Sequence, residues 1–268
     1  MSKIKAVTFL LLILSFNANR AVAGCDPKED PCAPKKVKNE WVSSLAVGLG
    51  GTNGNSKTGA LTTLADFTKE TDEDIITLNV VQGYAEDRNG LVEDSTSTTG
   101  FKREKIKTRN DITGQAGYKL LLDELNFINF GTRAVHDELA DIDYRVNLYP
   151  TFGHFFIKND DYKLSFDVGP GYTFERVGSL DNNYFSPRLG EEFGWIISCN
   201  SKITQNAEVF FNTDDTEDYQ INTNLNLETV VSSLLSVVVG IRDTYDNLPA
   251  ANRQKNDLSL ISALKFTF

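Results

Sequence analysis

The sequence predicts an all-β fold, an antiparallel up-and-down transmembrane β-barrel of about twelve strands. Three observations predict it: long runs of alternating apolar and polar residues, an N-terminal export signal, and a last run that ends on Phe268. The apolar face of that last run carries Leu258, Leu260, Leu264, Phe266 and Phe268, and its polar face carries Ser259, Ala263, Lys265 and Thr267. A period of two is the geometry of a strand with two different faces. Terminal residues of soluble domains usually fray, so this run is typical of the closing strand of an outer-membrane barrel. An edge strand of a soluble sandwich is the competing interpretation.

Residues 1–23 have the pattern of a secretory signal peptide. Lys3 and Lys5 give a basic start, residues 6–16 are almost wholly apolar, and residues 21–23 form a small-residue cleavage site. The segment is too short to span a membrane. We therefore expect export to the envelope of a Gram-negative cell, a flexible periplasmic lead-in over 24–40, and a barrel domain over 41–268.

Two alternatives are open at the mature N-terminus, near which two of the three cysteines lie. Residues 22–25 also fit a lipoprotein cleavage box in which Cys25 is lipidated, but polar residues 17–20 separate the apolar core from that box, which favours ordinary cleavage after Ala23. Cys25 and Cys32 bracket a proline-containing loop and are a possible disulfide in an oxidising periplasm. Cys199 is left over in this scheme.

Charge and composition exclude several classes of function. Removing residues 1–23 takes away three basic residues and no acid, which leaves 24 basic and 37 acidic side chains and a formal charge of −13. Nucleic-acid binding needs a basic stripe, so no nucleic-acid partner is expected. His136 and His154 are the only histidines, so we predict no zinc site, and we expect no other metal and no cofactor. After the signal, no apolar stretch reaches 18 residues. A membrane-embedded chain of this kind must be a closed barrel.

The alternating runs are 41–49, 57–68, 74–85, 102–120, 125–135, 143–157, 162–176, 184–198, 202–212, 218–228, 234–245 and 257–268. Bacterial single-chain barrels have even strand numbers, and most of these runs are long enough to cross a bilayer. Links after even-numbered runs are short, and the long links follow 74–85 and 234–245. With both ends in the periplasm, the long loops would lie outside the cell.

Alternation within the runs predicts which side chains face inward. In 218–228, apolar positions such as Tyr219 and Leu225 alternate with Gln220 and Asn224. Runs 143–157 and 162–176 alternate in the same way. Pro150 and Pro170 lie inside these two runs, and each should mark a bulge or an unpaired ladder position because proline donates no hydrogen bond. We expect residues 169–171 to form a kink.

Several segments resemble the YdiY-like family, described as salt-induced outer-membrane proteins with a domain of unknown function. Trp41 followed by residues 50–58 resembles the family's opening W…G-N-T-x-T. The stretch from 143 to 175, with Gly169-Pro170-Gly171-Tyr172 and Glu175, resembles its G-P-G-Y-x-x-E core. Arg188-Leu189 with Trp195, and residues 245–257 with the closing Phe268, resemble its later strands. His154-Phe155 and Ser198 depart from the pattern. The resemblance covers about 41–268 and implies an outer-membrane barrel with a link to salt or osmotic stress, and it supplies neither an active site nor a substrate.

The predicted function is a non-enzymatic barrel with either a structural role in the envelope or a narrow channel for small solutes. The residues predicted to lie on or near the lumen side are Arg145, Lys163, Asp167, Glu175, Arg188, Glu192, Glu208, Glu228, Arg242 and Lys265. Their charges of both signs could pair and fill the interior, or line a selective path. The predicted partners are outer-membrane lipid and the barrel-assembly machinery, which would read the closing strand through Phe268.

Alternative functions have weaker support in the sequence. A soluble or lipid-anchored periplasmic β protein is the main alternative, and a lipid-modifying enzyme is the least favoured, because neither His136 nor His154 is followed by a serine at the spacing of a strand-borne catalytic pair. Residues 50–55 lack the order of a phosphate-binding loop and suit a hairpin tip. The acidic stretch 214–218 could bind calcium weakly, although a solvated loop is the preferred interpretation.

Overall fold

The computed structural model describes residues 39–52, 58–93 and 101–268. The predicted signal peptide, almost all of the predicted lead-in and the pair Cys25 and Cys32 lie outside the described residues. The strands are β1 (Trp41–Thr52), β2 (Thr58–Glu70), β3 (Asp74–Glu93), β4 (Phe101–Leu121), β5 (Asn126–Asp137), β6 (Ile142–Lys158), β7 (Tyr162–Gly169), β8 (Tyr172–Val177), β9 (Leu180–Phe185), β10 (Arg188–Ser198), β11 (Ser201–Phe211), β12 (Tyr219–Val230), β13 (Leu235–Asp246) and β14 (Asn256–Thr267). No helix long and apolar enough to cross a membrane occurs in these ranges.

Antiparallel pairing closes the sheet into a barrel. Sequential strands pair along the chain, β1 pairs with β14, and β5 pairs with β6, so the sheet has no free start or end. β7 and β8 both pair with β6, while β10 pairs with β7 and β9 pairs with β8. β7 and β8 together therefore form one barrel strand with an interruption, and β9 and β10 together form another. The predicted closed antiparallel barrel of twelve strands is confirmed.

A proline lies at each interruption, Pro170 between β7 and β8 and Pro187 between β9 and β10. Phe152 pairs with Val168 and Leu148 pairs with Tyr172, which leaves Pro150 opposite the break at Pro170. The amide hydrogen that Pro150 lacks is thus not needed on that edge, as predicted. A Cβ on Gly169 would lie 2.1 Å from the carbonyl oxygen of Pro150, so only glycine allows the two backbones to approach this closely.

Two predicted strand boundaries were wrong. The run predicted to end at 85 continues as β3 to Glu93, paired with the start of β4. The run predicted to begin at 184 begins at Leu180, directly after a two-residue turn in which Gly178 has a φ of +60°. Both errors have one cause. Apart from Leu91, Val92 and Leu180, these segments are polar on both faces. They therefore lack the alternation that identifies a half-buried strand, yet their backbones still form ladder hydrogen bonds.

The wall of the barrel has an apolar outer face and a polar inner face. On β14, Leu258, Leu260, Leu264, Phe266 and Phe268 are exposed, while Ile261 and Ala263 are buried against Ala46 of β1. On β12, Gln220 and Asn222 are buried and Leu227 is exposed. Cross-strand partners keep the same face around the sheet. The predicted alternation is confirmed, and the large apolar side chains lie mostly on the outside.

The two ends of the barrel differ in the length of their connections. At the end that holds Trp41 and Phe268, called here the terminus end, the links 71–73, 122–125, 159–161, 199–200 and 231–234 have two to four residues. At the opposite end, called the loop end, the described links reach nine residues at 247–255. Phe268 and Ser43 exchange backbone hydrogen bonds of 2.9 and 3.1 Å, which extends the β1–β14 ladder to the terminus end.

Cys199 lies in a turn at the terminus end and is disulfide-bonded. The prediction that it is the unpaired cysteine was therefore wrong. The sequence contains only three cysteines. Within one chain, a disulfide at Cys199 and a Cys25–Cys32 disulfide exclude each other. The short spacing between Cys25 and Cys32 favoured that pairing. Sequence spacing alone does not show which cysteines a fold brings together.

Candidate functional site in the barrel interior

The interior is filled by charged and amide side chains from strands on opposite sides of the barrel. Apart from Glu191, which shares the outward parity of Leu189, each comes from an inward position in the period-two pattern, so neighbouring strands supply them in rows. The buried charged residues that the structure describes are Arg133, Arg145, Asp167, Glu175, Arg188, Glu191 and Glu208. All but Glu191 form ion pairs. This arrangement is what buried charges require, because an unpaired charge away from water is costly.

Glu208 of β11 is the hub of the interior. Its Oε1 is 3.2 Å from Nε of Arg133 on β5 and accepts a hydrogen bond of 3.3 Å from the amide of Gln115 on β4. Its Oε2 accepts a hydrogen bond of 3.2 Å from Nε of Arg188 on β10. Strand β11 pairs only with β10 and β12. Glu208 therefore ties the β4–β5 side of the wall to the β10–β11 side across the lumen.

Arg188 is held on three sides. Its Nη1 donates to Asp167 of β7, and its guanidinium carbon lies 4.4 Å from the ring centroid of Tyr149 on β6. The Tyr149 ring also packs against Phe210, with centroids 5.6 Å apart. A guanidinium over an aromatic face adds a cation–π attraction to its ion pairs. Arg188, Asp167 and Glu208 thus form a rigid cluster near the middle of the barrel.

Arg145 forms a second cluster toward the loop end. It donates through Nε to Glu175 of β8 and through Nη2, at 3.0 Å, to Asp246 of β13. The bond to Asp246 crosses the interior, since β6 and β13 are not neighbours in the sheet. Arg145 is therefore a second cross-barrel tie.

Arg242 of β13 has a looser environment than the other arginines. Its Nη1 lies 3.7 Å from Oδ2 of Asp111 on β4, and Asp111 is also paired with Arg109. Asn222 of β12 accepts a hydrogen bond of 2.9 Å from Nη2 of Arg133. We call Arg109, Asp111, Arg133, Asp167, Arg188, Glu208 and Arg242 the central network.

Ion pairs continue toward the terminus end with greater exposure. Lys119 donates to Glu192 at 2.8 Å, and Glu228 accepts from Lys265 at 3.1 Å and lies 3.3 Å from Nζ of Lys202. Lys163 occupies an inward position opposite Gly194, where its side chain is exposed. All ten residues predicted for the lumen side thus occupy inward positions, although their role in lining a passage stays a prediction.

Two cavities of about 530 Å³ each lie on either side of the central network. The loop-side cavity is bounded by Arg109, Asp111, Arg133 and Arg145, and the terminus-side cavity by Gln115, Lys119, Glu208 and Lys265. Asn222 and Arg242 line both cavities. We call the level of these two residues the waist.

Sequence reasoning missed several interior residues. Arg133, Asp111, Asn222 and Asp246 take part in cross-barrel contacts, and Arg109 binds Asp111 on its own strand. The inward parity of Asn222 was available from the period-two pattern, because Gln220 and Asn224 on either side of it were already assigned to the polar face. The cross-barrel partners were not available, since each lies on a strand dozens of residues away.

The two histidines and the acidic loop form hydrogen bonds with neighbouring protein groups. His136 bonds the backbone oxygen of Asp143 at 2.8 Å, and His154 bonds Oδ1 of Asn126 at 2.8 Å. In the loop 212–218, the Asp218 carboxylate accepts from the amide of Asn212 at 2.8 Å. Across the described ranges, no three His, Cys, Asp or Glu side chains are grouped so that they could hold a metal ion.

Comparison with known families places the chain. The model of a family described as "Protein of unknown function, DUF481" matches residues 45–268. The chain belongs to this family. DUF481 is the YdiY-like group, so the resemblance seen in the sequence is confirmed. None of the curated proteins matches the chain.

Solved structures similar to this DUF481 protein are distant from it. An outer membrane channel from Pseudomonas putida F1 is 10% identical with a TM-score of 0.48, covering 91% of this chain and 100% of that chain. The NanC porin is 8% identical with a TM-score of 0.45, covering 84% of this chain and 96% of that chain. The KdgM porin, solved in complex with disordered oligogalacturonate, is 10% identical with a TM-score of 0.43, covering 85% and 99%. These likenesses are too distant to carry over a substrate.

Proposed function

We propose that this DUF481 protein is a non-enzymatic outer-membrane barrel whose interior is closed by cross-barrel ion pairs, and that its role in the envelope is structural. The observation that carries the proposal is Glu208, which binds Arg133 and Arg188 from separate parts of the wall. A twelve-strand barrel is narrower than the porins that hold a broad aqueous channel. A few paired side chains are therefore enough to obstruct it.

The outer face supports a membrane location. Large apolar side chains such as Leu148, Phe152 and Val168 are exposed on the outside of the wall, and all ladder hydrogen bonds are closed within the barrel. A soluble barrel would expose these side chains to water, whereas a bilayer solvates them. The short links at the terminus end support a periplasmic location for that end, with the loop end outside.

A narrow channel for small solutes is the second candidate. Asn222 and Arg242 line both cavities, so a side-chain movement at the waist would join two spaces of about 530 Å³ each. The network would then act as a selective constriction instead of a permanent closure.

Planar-bilayer recording separates the two candidates. The structural proposal expects no conductance steps above background from the wild-type barrel and steps from Glu208→Ala, which removes the hub. Steps from the wild-type protein would contradict permanent closure and support the channel. Lys102→Ala, which removes an exposed ion pair with Glu104, is the control and should leave the recording unchanged.

Location and anchoring have their own test. We expect the chain in the outer-membrane fraction, with heat-modifiable migration on a gel, and recovery in the soluble periplasm would refute the barrel's membrane location. A diacylglyceryl mass on the mature N-terminus would support the lipid-anchored alternative at Cys25. Growth of a deletion strain under salt and osmotic stress tests the proposed link to those conditions.

A further inference from the structure

The amide of Asn222 presents an unused donor at the waist. Its Oδ1 accepts from Arg133, which can only donate, so the orientation of the amide is fixed. Its Nδ2 has no hydrogen-bond partner among the described residues, and the side chain is only 5% exposed. A buried donor without a partner costs about 1–3 kcal/mol, and such a group in a native structure calls for an explanation.

Arg242 is the neighbour of Asn222 on the inner face. Arg242 pairs across strands with Asn224, and Asn222 pairs with Thr244, so the two are diagonal neighbours of β13 and β12. The only ion-pair partner of Arg242 among the described residues is Asp111, at 3.7 Å. Since Asp111 is also bound by Arg109, the guanidinium of Arg242 keeps N–H groups that no acceptor in the described part of the chain occupies.

The unoccupied N–H donors at the waist, and not its net charge, point to an anionic ligand. The central network joins four guanidinium groups to three carboxylates through ion pairs. Asp137 and Asp257 also occupy inward positions, Asp137 opposite Asp111 and Asp257 in the ladder row of Asn222 and Thr244. The Asp137 carboxylate accepts from the backbone of Leu139 and Ala140. At the level of Asn222 and Arg242, the amide Nδ2 and the guanidinium therefore offer N–H donors without an acceptor among the described residues.

We propose that the waist is a carboxylate-binding site, in which Asn222 Nδ2 and the guanidinium of Arg242 bind the oxygens of a small monocarboxylate. A carboxylate has two acceptor oxygens and no donor, which matches a guanidinium fork beside an amide N–H. The cavities on either side, about 530 Å³ each, give the rest of a small molecule room. The inference goes beyond the proposed function, because binding at the waist requires neither conductance nor a membrane.

The test is an NMR titration of the folded full-length barrel in detergent micelles with sodium acetate, at constant ionic strength made up with sodium chloride. We expect a saturable shift of the Asn222 side-chain amide signal. Arg242→Gln should weaken acetate binding about tenfold or more, because a hydrogen bond to a charged group is lost. Arg253→Gln, which removes another cation from the loop-side cavity, should leave the affinity unchanged.

Heat-modifiable migration verifies that each variant is folded, and Arg242→Lys, which keeps the charge but loses the fork, replaces Arg242→Gln if the latter does not fold. The absence of a saturable shift in the wild type would overturn the site. Equal acetate affinity in the wild type and the folded Arg242 variant would also overturn it, as would an identical shift produced by chloride. The outcome is independent of the bilayer recording, so a closed barrel that binds acetate contradicts neither proposal.

Discussion

Arg133 on β5 and Glu208 on β11 form an ion pair across the barrel, with Nε of the arginine 3.2 Å from Oε1 of the carboxylate. Both side chains are buried, and 75 residues separate them in the sequence. Because β5 and β11 are not neighbours in the sheet, this contact forms only once the barrel has closed. The pair therefore stabilises the closed wall as a whole and not a single hairpin.

Removing Glu208 should destabilise the barrel strongly. Glu208→Ala leaves Arg133 buried without its anion, while Arg188 keeps Asp167. Breaking a buried pair by removing one partner costs about 3–5 kcal/mol. Urea unfolding of the refolded barrel in lipid vesicles should show a decrease of this size in the free energy of unfolding.

The matched control for Glu208→Ala is Glu104→Ala, which removes one partner of the exposed pair with Lys102. An exposed pair contributes about 0–1 kcal/mol. The double variant Arg133→Met/Glu208→Met should recover most of the lost stability, since apolar side chains of similar volume often replace a buried ion pair at no cost. If Glu104→Ala and Glu208→Ala destabilise the barrel equally, the interior pair has no special role.

Gly131→Ala should also destabilise the barrel, for steric reasons. Gly131 of β5 lies directly opposite Tyr149 of β6, and a Cβ on Gly131 would stand 2.1 Å from the tyrosine ring. The ring covers the glycine and cannot move without disturbing Arg188 above it. Overpacking of this kind costs about 1–3 kcal/mol.

Gly114→Ala is the control for Gly131→Ala, because a Cβ on Gly114 meets nothing within 4 Å. Thermal or urea unfolding should place Gly114→Ala near the wild type or slightly above it, as less backbone entropy is lost on folding. Equal destabilisation by the two substitutions would show that the Tyr149 contact is not the cause.

The sequence predicted the wall of this barrel well and its interior contacts poorly. Alternation is a local property, so the outward side of β14 and the inward side of β12 could be assigned from single runs of residues. The partners of Glu208 could not, because Arg133 and Arg188 reach it from strands that become neighbours only after closure. Arg133 was overlooked for a second reason. In β5 the inward face carries Phe127, so apolar and polar residues do not separate cleanly between the two faces.

The strand boundaries show the same limit. Pro170 predicted the interruption between β7 and β8, because proline removes a ladder donor wherever it lies. The extension of β3 to Glu93 could not be predicted from the sequence. A strand segment that is largely polar on both faces resembles a loop. A pattern based on burial can identify only the part of a strand that has a buried face.

The Asp123 carboxyl should titrate below its ordinary range. The side-chain amide of Asn126 donates to Oδ2, and the backbone N–H groups of Leu125 and Asn126 donate to Oδ1, which together lower the pKa of Asp123. The turn stabilisation from this carboxylate is therefore fully present above the unfolded pKa of about 3.9 and is lost as the pH falls through the lower folded value.

NMR titration of the Asp123 carboxyl carbon in the folded barrel measures this pKa directly. Asn126→Ala removes the largest contribution and should raise the pKa of Asp123 toward its ordinary value. Leu125→Ala retains the backbone N–H and should leave that pKa unchanged. A pKa at or above 3.9 in the wild type would contradict the hydrogen-bonded turn.

Phe268→Ala should reduce the amount of folded barrel in cells more than it reduces the stability of barrel already formed. The backbone of Phe268 pairs with Ser43 at the closing seam, and its side chain is 73% exposed on the outer face. Loss of an exposed ring leaves the backbone hydrogen bonds of the seam intact.

If the ring is read by the barrel-assembly machinery, we expect a several-fold loss of the heat-modifiable form in outer-membrane fractions. Urea unfolding of the refolded variant should remain near the wild type. Phe156→Ala, which removes another exposed ring from the terminus end, should assemble normally, and equal losses for both variants would assign the effect to lipid contact instead of recognition.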